Sequence, residues 1–370
     1  MTEIVLLICL DGCGPEYLHA ADMPSLKQLA SAGRSEVGLA VMPTVTNVNN
    51  TSIVTGNFPR AHGITSNWCL DPVTRKGRYM ESADDLLTDT IFERLETRGV
   101  QSAFLCVKEK LVHLLGRGAT VAVAAENPPQ WLIEEVGPVP SVYSAEINLW
   151  IFEALLKVIL RFPRLGFVYL ATTDYIPHRH AAEETASQEY LSGIDDKLKA
   201  FLERHPEAKV GITADHGMTH KKHGINPACS LVRIGQNAMV IPIIRDRYTI
   251  HHSNLSGAAY IYLEQPQALE EARSLLGEVP GIEIALTREQ AVEKFQLYSE
   301  RIGDLMVVGD RETVFGELPA EHTEVNVRSH GSHHERSVPI ISYGIERPEA
   351  PYEYNKDLIR FLYREETNSV

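Results

Sequence analysis

Three aspartates follow short apolar runs: Asp11 after IVLLICL, Asp174 after GFVYLATT and Asp215 after KVGITA. Histidine accompanies two of them, His178 four residues past Asp174 in DYIPH and His216 beside Asp215 in DHG, while a later SHG supplies His330. One such aspartate alone reads as a turn former or helix cap. Three together, two of them joined to histidine, read as metal ligands. Carboxylates and imidazoles without thiolates suit zinc or another borderline divalent cation, and six such groups can hold a pair of ions. Two metals close together clamp the attacking and leaving oxygens of a phosphoryl group, so phosphorus chemistry is the expectation. Spacing alone does not choose among the histidines, because His180 sits two past His178 and His333 and His334 lie just beyond His330.

A hydroxyl nucleophile for that chemistry is offered by VMPTVTNVNNTSIVTG, residues 41 to 56, where an extended Pro-containing segment turns into an expected helix near Thr46. A hydroxyl at a helix N-terminus faces backbone N–H groups and the positive end of the dipole, which favours an alkoxide and an incoming anion. The alternative role for Thr46 is that of an N-cap. Two cations stand out as well: Lys108 and Lys110, in VKEK after the apolar run QSAFLC. On the residues alone they are a solvated loop or an anion-binding pair.

The elements that must position these groups are legible as an alternation. IVLLICL, VQSAFLC, GFVYLAT and KVGITA are near-continuously apolar, as strands covered on both faces are. Between them lie helical stretches: PSLKQLASAG, DTIFERLETRG, SAEINLWIFEALLKVILRF and ETASQEYLSGIDDKLKAFLER. This is the pattern of an α/β fold around a mostly parallel sheet, where ligands bind beyond the carboxyl ends of the strands. From residue 231 the rhythm changes to AMVIPIIR, AAYIYL, a helix in PQALEEARSLL, IEIAL, a helix in TREQAVEKFQL, and DLMVVG. VPIIS and a final helix NKDLIRFLYREE then resume the first pattern. The expectation is a catalytic core at residues 1–230 and 325–370 with an inserted α+β lid at 231–324.

The formal net charge of -14 over 370 residues repels a phosphate backbone, and no basic run with interleaved aromatics offsets it, which argues against a nucleic-acid partner. Five cysteines, odd in number and without a Cys-x-x-Cys pair, point to neither a disulfide framework nor a cysteine zinc knuckle. The first apolar segment is too short to span a bilayer and lacks the flanks of a secretion signal. A cytoplasmic protein with no membrane association, monomeric or homodimeric, is expected.

Taken in order, Asp11-Gly12, Pro43-x-x-Thr46 with Asn49, the run Ser52 to Gly56, His62-Gly63, Asp174-x-x-x-His178, Asp215-His216-Gly217 and His330-Gly331 resemble the alkaline phosphatase superfamily, specifically its nucleotide pyrophosphatase/phosphodiesterase branch. The resemblance implies an alkaline phosphatase-like core and two zinc ions. One would be held by Asp174, His178 and His330, the other by Asp11, Asp215 and His216 with the nucleophile Thr46 adjoining. It also makes Asn67, in HGITSN, a ligand of the phosphoryl oxygens. Within the superfamily, VKEKLVHLLGRG, PSVYSAE, RIGDLMVVG and VRSHG are most similar to the phosphonoacetate hydrolase family. That likeness implies cleavage of a carbon–phosphorus bond to acetate and phosphate, with Lys108 and Lys110 on the substrate's anionic groups. Residues 67 to 87 depart from the family's pattern, which leaves a different phosphonate, or an organophosphate ester cut by a phosphodiesterase, as the other substrate classes.

Overall fold

The computed structural model describes residues 4–71, 74, 76–344 and 351–362. Its centre is a seven-stranded sheet in the order Arg34–Leu39, Ser337–Tyr343, Lys209–Thr213, Val5–Cys9, Leu165–Ala171, Gln101–Cys106, Val121–Ala124. The five strands from Lys209–Thr213 onward run parallel, and Ser337–Tyr343 is antiparallel to both of its neighbours. All four strands expected from continuous apolar runs are present. Arg34–Leu39 escaped notice because, as an edge strand in RSEVGL, it alternates half-buried and exposed positions; Val121–Ala124 is only four residues long.

Alternation along Val5–Cys9 divides the core. Leu6 and Ile8 pack into one cluster with residues of the helices Pro24–Ala32, Glu146–Arg161 and Thr185–Arg204. Val5, Leu7 and Cys9 enter the opposite cluster, with the helices Thr46–Thr55, Ile91–Thr97 and Glu109–Leu115. Placing helices on both faces is what makes near-continuous apolar strands necessary.

Three smaller sheets accompany the central one among the described residues, the shortest pairing Trp68–Leu70 with Gly77–Tyr79. A four-stranded antiparallel sheet has the order Ala238–Pro242, Ala258–Leu263, Leu305–Gly309, Ile282–Thr287, and the helices Leu269–Gly277 and Arg288–Phe295 accompany it. A three-stranded sheet pairs Thr219–Ile225 with Thr313–Phe315 on one side and His322–Ser329 on the other. Thr219–Ile225, in THKKHGI, lacks the apolar signature of the other strands because its outward positions carry lysine and histidine. The last expected helix is present as Leu358–Leu362 after a tight turn; its continuation beyond residue 362 lies outside the described residues.

Candidate active site

Register assembles the site. Cys9 pairs with Ala171 on one side and Thr213 on the other, and Ala171 pairs with Cys106. Four adjacent parallel strands therefore end level, and the residues two or three positions further on form a row: Asp215, Asp11, Asp174, Lys108. All four are almost fully buried. The chain then leaves Asp215-His216 through the strand Thr219–Ile225 and returns along His322–Ser329. Pairing of Thr219 with Ser329 brings His330 back beside His216, where the two rings stack with centroids 3.6 Å apart.

The histidines are oriented from outside. His178 Nδ1 lies 2.7 Å from the Arg328 carbonyl, His216 Nδ1 3.0 Å from that of Gly217, and His330 Nδ1 2.7 Å from that of Thr44. A carbonyl only accepts, so each Nδ1 carries the proton and each Nε2 turns a lone pair inward, the arrangement outer partners give to metal-binding imidazoles. Inside, His178 Nε2 is 3.0 Å and His330 Nε2 3.6 Å from Asp174 Oδ2. His216 Nε2 is 3.5 Å from Asp11 Oδ1 and 3.4 Å from Asp215 Oδ2. Neither Asp11 carboxylate oxygen nor His330 Nε2 has a hydrogen-bond partner. Ligand atoms of Asp11, Asp215 and His216 fall within 4.8 Å of one another, as do those of Asp174, His216 and His330. Such convergence of buried acceptors fits divalent cations, which would offset so many inward lone pairs.

The electrostatics agree. Burial, with Asp174 and Asp215 nearby, raises the Asp11 carboxyl well above its ordinary range, and burial pushes Asp215 up to about 6. Burial lowers the pKa of His216 and His330, favouring the neutral ligand form. Of the competing histidines, His180 bonds Glu184 at 2.9 Å on the surface, and His333 and His334 lie at 3.5 and 2.7 Å from Glu283, away from the row.

Thr46 opens the helix Thr46–Thr55, whose N-cap is Val45; the N-cap alternative for Thr46 therefore falls. Its Oγ1 lies 3.5 Å from His216 Nε2. The helix sequence TNVNNTSIVT is polar yet buried at every position, and hydrogen bonds with the surroundings hold it. Asn47 Nδ2 donates to the Met80 carbonyl (2.9 Å), Asn49 Oδ1 accepts from Val41 N–H (2.8 Å), and Ser52 Oγ meets His62 Nε2 (2.9 Å). Tertiary partners, not propensity, fix the hydroxyl in place.

Lys108 is the N-cap residue of the helix Glu109–Leu115 and Lys110 belongs to its first turn, so strand geometry stops before Glu109. Two ammonium groups at the positive end of a helix run against its dipole. Carboxylates offset them: Lys108 Nζ lies 2.9 Å from Asp174 Oδ1 and 3.9 Å from Asp11 Oδ2, and Lys110 Nζ lies 2.6 Å from Asp246 Oδ2. Burial alone would lower the pKa of Lys108, but Asp174 and Asp11 outweigh it and hold it above the usual lysine value. The Tyr248 ring centroid is 5.5 and 5.4 Å from the two ammonium nitrogens.

Asn67 is buried against the same group, its Nδ2 donating to the Ile244 carbonyl (3.1 Å) and Asp246 Oδ2 (3.3 Å). Asp246 and Tyr248 are site residues that sequence reasoning misses, whereas His252 belongs to an HH pair that could reach the site from the lid. A signal existed for the first, since Asp246 follows the apolar run VIPII just as the other three aspartates follow theirs. His252 bonds Asp246 Oδ1 at 3.0 Å, with its ring 5.8 Å from that of His178; the side chain of His251 lies outside the described set.

This fold has counterparts. Residues 5–334 match the family described as type I phosphodiesterase / nucleotide pyrophosphatase, and the chain belongs to it. Its architecture is the alkaline phosphatase-like α/β fold of that branch. Phosphonoacetate hydrolase from Sinorhizobium meliloti 1021, in its complex with phosphonoformate, is similar with a TM-score of 0.86 and 32% identity over 96% of this chain and 94% of that one. Its complex with phosphonoacetate gives a TM-score of 0.87. Human ectonucleotide pyrophosphatase/phosphodiesterase 5 shares the fold, with a TM-score of 0.70 at 18% identity over 96% of this chain and 92% of that one. An ectonucleotide pyrophosphatase/phosphodiesterase of Caenorhabditis elegans is 22% identical over 92% of this chain, which spans only 43% of that relative's length. No helix among the described residues is long and apolar enough to cross a membrane.

Proposed function

We propose that the protein hydrolyses the carbon–phosphorus bond of phosphonoacetate, yielding acetate and phosphate, at a centre for two zinc ions. The observation that carries this reading is two buried lysines, Lys108 against the metal-type carboxylates Asp174 and Asp11 and Lys110 against Asp246. The similarity to the Sinorhizobium meliloti enzyme over nearly the whole of both chains supports the substrate.

Asp174, His178 and His330 would hold one ion, and Asp11, Asp215 and His216 the other, beside Thr46. When bound, the ions supply positive charge for the phosphoryl oxygens and make a hydroxyl nucleophile available near neutral pH. Thr46 Oγ1, fixed at the buried helix start, gives up its proton to solvent and forms a bond to phosphorus as the carbon–phosphorus bond breaks. The electron pair leaves with carbon, spreads into the adjacent carboxylate as an enediolate, and takes up a proton to give acetate. Carbon is a poor leaving group, so catalysis depends on cations that meet the carboxylate as its charge grows. Lys108 and Lys110 fill that role, and Asn67 would meet a phosphoryl oxygen by turning one amide N–H from the Ile244 carbonyl or Asp246 toward it. Water then cleaves the phosphothreonine, releasing phosphate and restoring Thr46.

Residues 231–324 act as the lid, on the support of Asp246, Tyr248 and His252 reaching from this segment to the lysines. A reducing cytoplasm suits the five free cysteines, four of them buried.

The family's description favours a second reading, cleavage of an organophosphate diester at the same centre. The test is phosphate release from phosphonoacetate by zinc-loaded protein, with Thr46→Ala, Lys108→Ala/Lys110→Ala and bis-nitrophenyl phosphate alongside. Release that is lost in both variants, with metal content retained by Thr46→Ala, is expected. Diester cleavage indifferent to the lysines, without phosphonoacetate turnover, would establish the second reading instead.

A further inference from the structure

Asp246 carries more contacts than a lid residue needs. Its Oδ2 accepts from Lys110 Nζ (2.6 Å) and Asn67 Nδ2 (3.3 Å), and its Oδ1 from Tyr248 N–H (2.7 Å) and His252 Nε2 (3.0 Å). The Asp246 N–H in turn donates to Asn254 Oδ1 (3.0 Å). A carboxylate with donors on both oxygens, 4% exposed, cannot rotate without breaking several hydrogen bonds. His252 Nδ1 accepts from Asn254 N–H (3.0 Å), so its proton sits on Nε2 and the ring is a neutral donor. Lys110 is therefore the cation that balances Asp246.

The lysines thus divide. Lys108 is paired with Asp174 and Asp11, members of the metal-type row, whereas Lys110 is paired with the lid. A second brace holds the same segment: Tyr248 Oη donates to Glu126 Oε1 (2.7 Å), and that oxygen also accepts from Glu109 N–H (2.9 Å), beside Lys110. We propose that Asp246 is a positioning residue for the reaction: it holds Lys110 stationary toward the substrate's carboxylate, and so sets the preference for carboxylated phosphonates.

A lysine has four flexible bonds and a point charge, so aiming it requires an external anchor. An ammonium has three N–H donors, and Asp246 engages one, which leaves donors for a second carboxylate. Although burial pushes the Asp246 carboxyl up, Lys110 and His252 outweigh this and hold it well below the ordinary range, so it is an anion throughout the working pH range.

The inference rests on the proposed phosphonoacetate hydrolysis, and its test separates the two. The KM for phosphonoacetate and the inhibition constant for inorganic phosphate, which lacks a carboxylate, are measured for wild type, Asp246→Asn, Lys110→Ala and their double variant. Asp246→Asn is expected to raise KM at least tenfold and shift the phosphate constant less than threefold, with the double variant no worse than Lys110→Ala. Asp246→Glu keeps the charge, and with it the fold, but moves it by one methylene; it should give the same split at a smaller size. Parallel changes in both constants, in whichever variant folds, would reduce Asp246 to shaping the pocket and overturn the proposal. A lower KM in Asp246→Asn would make Asp246 a competitor of the substrate and also overturn it. Wild type without phosphonoacetate turnover overturns the parent reading and this one together.

Discussion

Replacing Lys108 with methionine should destabilise the protein in a manner that depends on metal. The ammonium lies 2.9 Å from Asp174 Oδ1 and 3.9 Å from Asp11 Oδ2, with all three side chains nearly excluded from solvent. At an effective dielectric of about 20 these contacts are worth roughly 6 and 4 kcal/mol gross, from which desolvation of the ammonium subtracts several. Breaking a buried pair by removing one partner typically costs about 3–5 kcal/mol. For 370 residues, an unfolding entropy of about 2.1 cal/mol/K per residue converts this to an apparent Tm lower by about 4–6 °C. On the proposed two-metal reading, zinc at the same carboxylates would supply the missing positive charge, so the deficit should shrink to about 1–2 °C on that scale. Thermal unfolding of wild type and Lys108→Met, each after chelator treatment and after zinc reloading, measures both. An equal deficit with and without zinc would refute the reasoning, since Lys108 would then contribute packing rather than charge to the aspartate row.

Two further outcomes follow from the same geometry. Buried His62, whose Nδ1 accepts Ile64 N–H and whose Nε2 meets Ser52 Oγ, has its pKa pushed down to about 3 by burial, so folding favours the neutral ring. Its contribution is complete above the unfolded value of about 6.5 and is lost as pH falls toward about 3. Wild type should therefore lose about 2 kcal/mol more than His62→Asn between pH 7 and 5 by urea unfolding, and matching profiles would count against it. Gly12 has φ of +74°, and a Cβ there would lie 3.0 Å from Asp174 Cβ and 3.2 Å from Pro177 Cβ. Gly12→Ala should cost about 1–2 kcal/mol of stability for the backbone and lower zinc affinity about tenfold in chelator competition. Wild-type affinity would show that Asp174 does not depend on this close approach.

Much of the molecule was legible from the chain alone. Strands covered on both faces must be apolar throughout, so IVLLICL, QSAFLC, GFVYLAT and KVGIT declared themselves, and the aspartates ending three of them followed from that placement. The polar strand Thr219–Ile225 did not, because a ribbon standing off the core has no need of a buried face on both sides. Nor could spacing separate His178 from His180, or His330 from His333 and His334. That choice rests on which backbone carbonyl fixes each Nδ1, and those carbonyls belong to Arg328 and Thr44, far away in sequence.

The lysines mark the boundary most clearly. Their place after a strand was written in the sequence, and a level register of four parallel strands puts Lys108 in line with Asp174, Asp11 and Asp215. Only the tertiary structure divides the pair, giving Lys108 to the aspartate row and Lys110 to Asp246. Hydrogen-bond register within a sheet follows from local pattern, whereas the partner of a long flexible cation depends on which carboxylate the rest of the fold delivers to it.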